Sequence, residues 1–107
     1  MKTNTSMTHY KKNIIDHEER WTRSIFTEVM WQEKNVVNPS TGFVEANEVN
    51  VYIPTLEKDI EVGDIIVKGY AEAETPTLVS GKKFTVTSAI PCDYGTKAMQ
   101  HTEIVGN

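Results

Sequence analysis

Only one cysteine, Cys92, occurs in the 107 residues, so no internal disulfide can form and the chain suits a reducing compartment. Long apolar runs are missing too: none approaches the ~20 residues that a spanning helix needs. The opening MKTNTSMTHYKK has no apolar h-region, so no secretory leader is expected. Positive charge is scarce. Eleven basic residues against fifteen acidic ones leave a net charge of -4, and the sequence pI is about 5.3. The basic residues cluster only as the pairs Lys11-Lys12 and Lys82-Lys83, which argues against tight or sequence-specific nucleic-acid binding. No phosphate-cradling glycine motif and no zinc-protease histidine spacing is present. His9, His17 and His101 are scattered and read as surface residues. Cys92 sits in a Pro-Cys-Asp-Tyr-Gly turn with no basic neighbour to activate it. Catalytic residues, metal ligands and cofactors are therefore expected to be none, and the chain is not expected to be an enzyme.

What the chain does contain is β pattern. Val49, Val51 and Ile53 alternate with Asn50 and Tyr52, the two-residue period of a half-buried strand. Pro54 ends that strand, since it has no N–H for a ladder. Gly63-Asp64 is a turn dipeptide leading into Ile65, Ile66 and Val67. Residues 8–15 read as a first strand, with a polar turn near Asp16 and His17. Residues 20–32 fit either period: Trp21, Ile25 and Val29 suit a helix or a strand, and Asp16 with Glu19 would cap a helix. Their content of Trp, Ile, Phe, Val and Thr favours strand. In the strand reading Trp21, Ile25, Val29 and Trp31 share one face, with Phe26 and Met30 on the other. Residues 83–90 form another strand, with Phe84, Val86 and Ile90 on one face and Pro91 as its stop. A closing strand covers residues 99–105.

Residues 33–47 and 70–81 read as two long connectors, and loops of that length in a small domain are often functional. The resulting expectation is one all-β domain, a small antiparallel barrel or sandwich of about six strands, over residues 8–107, preceded by a flexible arm at residues 1–7. The candidate interface residues are Val36, Val37, Asn38, Phe43 and Val44 in the first connector and Thr75, Pro76 and Leu78 in the second. Trp31 joins them as a possible anchor, although a core position is its plainer reading. The acidic run at residues 57–64 reads as a solvated turn, with an anion-repelling channel wall as the alternative.

The pieces THYKK, ERWTRSIFTEVMW, NVYIP, GDIIVKG, KFTVTSAIPCDYG and MQHTEIVGN, in this order across residues 8–107, resemble the small head-closure, stopper or connector proteins of the neck of long-tailed phages and prophages of Gram-positive bacteria. The resemblance implies a virion protein, assembled in the host cytoplasm. It implies a homo-oligomeric ring of six or twelve copies that closes the DNA channel after packaging. Its partners would be copies of itself, the portal or connector proteins and the tail proteins, with DNA passing through and no membrane. A tail-completion or minor tail protein, or a monomeric small barrel that binds a ligand or peptide, are the alternative readings.

Overall fold

The computed structural model describes residues 3–37, 44–79, 82–93, 95–96 and 99–107. Six strands form a closed antiparallel barrel in the order β1-β2-β3-β6-β5-β4. They are β1 (Thr5–Ile15), β2 (Glu18–Val37), β3 (Val44–Ile53), β4 (Ile65–Lys68), β5 (Phe84–Cys92) and β6 (His101–Gly106). One short 3-10 turn, Pro76–Leu78, interrupts the β4–β5 connection. Closure answers the choice between barrel and sandwich. Among the described residues, no helix is long and apolar enough to cross a membrane.

Residues 20–32 are strand, within the 20-residue β2. Fully extended at about 3.3 Å per residue, such a strand would reach roughly 66 Å. The longest extent of the molecule is 45 Å, so β2 curves round the barrel. It changes partner on the way: Glu18 to Val29 pair with β1, and Met30 to Val37 pair with β3. A register shift between Thr5 and Met7 sets the pairs Thr5↔Val29 and Met7↔Phe26. The extra residue on β2 is a bulge, which bends a strand and re-aims its side chains. It turns Phe26 towards the core that holds Val29 and Trp31, so the expected separation of Phe26 from these two fails.

The interior is filled by side chains, as small barrels require. Met7, Val29, Trp31, Val49, Val51, Ile53, Ile60, Ile66, Phe84, Val86 and Ile104 form one buried cluster. Trp31 packs edge-on to Phe84 at 5.6 Å and is 4% exposed, so its indole serves the core. Gly106 is required here by space. A Cβ on it would lie 2.9 Å from Val49 Cγ1 and 3.1 Å from Phe84 Cβ, because β6 runs between β3 and β5 at this point.

Several expectations need correction. The arm at residues 1–7 shrinks, because β1 begins at Thr5 and Met7 is fully buried. Asn4 fastens the entry: its Nδ2 donates to the Trp31 carbonyl and its Oδ1 accepts from the Trp31 N–H at 2.8 Å. The connector at residues 33–47 is mostly ladder, since β2 runs to Val37 and β3 starts at Val44. In β5 a shift between Val86 and Ser88 leaves Ile90 54% exposed and sets Ala89 against the core. Pro91 does not stop β5, which continues to Cys92. Beyond Val86 the strand pairs with β6 alone, and a proline is tolerated where one side of a strand is open.

Strand β1 is buried on both faces from Met7 to Tyr10, through a strap formed by residues 69–73. Thr8 Oγ1 donates to the Gly69 carbonyl at 2.8 Å and accepts from the Ala71 N–H at 2.9 Å. The Tyr10 hydroxyl donates to the Ala73 carbonyl at 2.7 Å. Arg23 Nη1 donates to the Ala71 carbonyl, with its guanidinium 5.5 Å from the Tyr70 ring centre. On the other side of β1, His9 is 2% exposed rather than on the surface. Its Nε2 lies 2.8 Å from Asp64 Oδ2, and an ionised carboxylate only accepts, so the nitrogen donates. Asp64 also accepts from the N–H groups of Lys12 and Glu61. The last acidic residue of the 57–64 run is thus a buried hub and not part of a solvated turn.

Candidate functional site

Two hairpins reach beyond the barrel wall. Strand β4 pairs with β1 only from Met7 to Tyr10; Lys11 and Lys12 still reach Asp59 and Asp64, and the β1–β2 hairpin from Asn13 to Arg20 stands clear, with β2 as the partner strand of β1. Its turn is Asp16-His17, with φ of 52° and 65°. Positive φ at both central residues gives the hand that matches twisted strands. Ile14 and Ile15, at the tip, are 71% and 52% exposed. Lys12 pairs with Glu19 at 3.1 Å, and Arg20 with Glu18 at 3.3 Å. The tip therefore presents apolar side chains between locally neutralised charges. Likewise, β6 pairs with β3 only from Val49 to Ile53, so the β2–β3 ladder from Lys34 to Glu48 continues past it.

The radius of gyration carries the same signal. It is 14.8 Å, against about 13 Å for a compact domain of this length.

A third feature is a groove of about 320 Å³ on the outer wall, lined by Val67, Tyr70, Ala71, Leu78 and Val79 among others. Tyr70 and Leu78 are 62% and 72% exposed. Lys83 Nζ donates to the Pro76 carbonyl and braces the 3-10 turn.

The candidate interface residues fall in different places. Leu78 lines the groove; Pro76 is buried, and Thr75 hydrogen-bonds to Thr77 through their hydroxyls at 2.9 Å. Trp31 is in the core. Val36, Val37 and Val44 belong to the β2–β3 ladder, but their side chains, and all of Asn38 and Phe43, lie outside the described residues. Sequence reasoning missed the tip: Ile14 and Ile15 follow a strand pattern, and nothing local reveals that the neighbouring strand ends at Tyr10.

At the far end of β5 the register pairs Cys92 with His101, and Glu103 follows on the same face of β6. One donor atom from each lies within 4.8 Å of the others. His101 Nδ1 is 2.9 Å from the Met99 carbonyl, and Nε2 is 3.1 Å from Glu103 Oε1. The Met99 carbonyl and then the Glu103 carboxylate raise the imidazole pKa above its usual value. With one nitrogen on a carbonyl and the other on the carboxylate, the ring does not bridge thiol and acid as a nucleophile's base must.

A closed six-stranded barrel with a filled interior and projecting hairpins defines a small all-β module. The chain belongs to a family of unknown function, DUF6751, whose model matches residues 2–107. No curated protein and no solved structure matches it.

Proposed function

We propose that this chain is a structural protein of a phage virion, acting at the head–tail interface as one subunit of a ring that closes the DNA channel and docks the tail. The observation that carries the reading is the pair of projecting hairpins on a barrel whose interior is full. An isolated hairpin is at best marginally stable in water, and its open edges invite pairing. Neighbouring subunits would brace these arms, by apolar contact at Ile14 and Ile15 and by extension of the sheet. A ring multiplies a modest contact by its symmetry, because each copy uses the same pair of surfaces. The net charge of -4 suits a channel component that lets the duplex pass without holding it. The ordered sequence pieces over residues 8–107 support the same assignment. A ligand-carrying barrel fits less well, since Met7, Trp31, Ile60 and Phe84 occupy the interior.

The test is an affinity capture of the tagged chain from cells producing the particle, read by mass spectrometry. Recovery of portal, connector and tail subunits is the expected result. Recovery of tail-tube or baseplate proteins alone would move the subunit into the tail. Capture of no virion protein would overturn the proposal.

A further inference from the structure

We infer that Cys92, His101 and Glu103 form a binding site for a zinc ion, independently of where the protein acts. The three residues bring sulfur, nitrogen and oxygen donors to one face of the β5–β6 ladder. A tetrahedral zinc with bonds of about 2.0–2.3 Å holds its ligand atoms roughly 3.3–3.8 Å apart. The nitrogen–oxygen edge here is 3.1 Å, and all three donors are within 4.8 Å. Small side-chain rotations close the set, with no change of strand register.

The orientation of His101 is the second argument. A carbonyl oxygen only accepts, so the Met99 carbonyl, 2.9 Å away, fixes the proton on Nδ1. A backbone carbonyl holding one ring nitrogen in this way is the usual outer partner of a metal-bound imidazole. The Nε2 of His101 is then the ring nitrogen turned to Glu103 Oε1, 3.1 Å away. A zinc ion uses all three groups and takes the sulfur as thiolate.

The donor set also selects the ion. Magnesium and calcium require oxygen ligands, whereas thiolate with imidazole suits zinc. Three protein ligands leave a fourth position for water. Access is from the Glu103 side, whose side chain is 44% exposed, while Cys92 lies deeper at 8%. The ion would clamp β5 to β6 in the stretch where β5 has β6 as its only paired strand. Its role is structural.

The experiment is titration of the chelator-treated, reduced protein with zinc by calorimetry, paired with cobalt(II) absorption. One saturable zinc site per chain is expected, with a cobalt–thiolate charge-transfer band. Cys92→Ser, His101→Gln and Glu103→Gln should each weaken zinc binding by at least ~10-fold, the lower bound seen even for outer partners of metal ligands. Glu103 is half-exposed, so its variant keeps the fold, which circular dichroism checks. It decides the matter together with the cobalt spectrum if the Cys92 variant fails to fold. Absence of saturable binding, binding unchanged in Glu103→Gln and His101→Gln, or cobalt bound without the thiolate band would each overturn the site. So would equal competition by magnesium.

Discussion

Asp64→Ala removes the acceptor on which a buried histidine and two backbone amides depend. In the native barrel the carboxylate receives His9 Nε2 at 2.8 Å, the Lys12 N–H at 3.1 Å and the Glu61 N–H at 3.0 Å. The two side chains of the pair are each 3% exposed. Water can reach the amides, which are only partly buried, but it cannot enter beside His9 without opening the wall between β1 and β4. Leaving a buried donor without its acceptor costs about 1–3 kcal/mol. A domain of this size has only about 5–15 kcal/mol in total. The variant should therefore lose at least about 4 °C in Tm, taking ~4 °C per kcal/mol. Urea unfolding should give a lower midpoint at an unchanged slope. The double variant His9→Phe with Asp64→Leu, which replaces the pair by apolar groups, should recover much of the loss. A loss under about 1 kcal/mol in Asp64→Ala would refute the reasoning, since it would put that pair on the scale of an exposed one.

Gly106→Ala forces a methyl against Val49 and Phe84, and overpacking of this kind costs about 1–3 kcal/mol; chemical denaturation measures it. Burial raises the Tyr10 pKa above its usual value near 10, with Arg23 pulling the other way. The unfolded chain then ionises first, so the contribution of Tyr10 is fully present below pH 10 and is lost as pH climbs through the folded value. Tm followed into alkaline solution should fall, and Tyr10→Phe should flatten that slope. Ile14→Asp with Ile15→Asp should leave the monomer within about 0.5 kcal/mol of the parent, as surface changes do. The same double variant should abolish assembly on the portal, scored by sedimentation of mixtures.

Alternation made β3 legible: Val49, Val51 and Ile53 are all buried as their period requires. Pro54 and Gly63 marked real boundaries, and Gly63 takes φ of 97° on entry to β4. The content of residues 20–32 also read correctly as strand. The failures have a common cause. Bulges shift a period by one residue, and neither the one near Phe26 nor the one at Val86 leaves a local mark. Residues 33–35 looked like a loop because they are polar, and a ladder projecting beyond the barrel carries no core-facing pattern. His9 looked like a surface residue, and nothing local marked Thr8 or Tyr10 as buried. Their partners, Gly69, Asp64 and Ala73, lie 55 to 63 positions away. Cys92 and His101 likewise become neighbours through strand register, which the residues themselves do not reveal.

The central claim is that copies of this barrel form a ring at the neck of a virion. Cryo-electron microscopy of the particle, with the neck reconstructed at side-chain resolution, tests it most directly. The account predicts a layer of six or twelve barrels between portal and tail, each with its β1–β2 tip seated on a neighbouring subunit. A neck fully accounted for by other chains, with no density that fits this barrel, would contradict it.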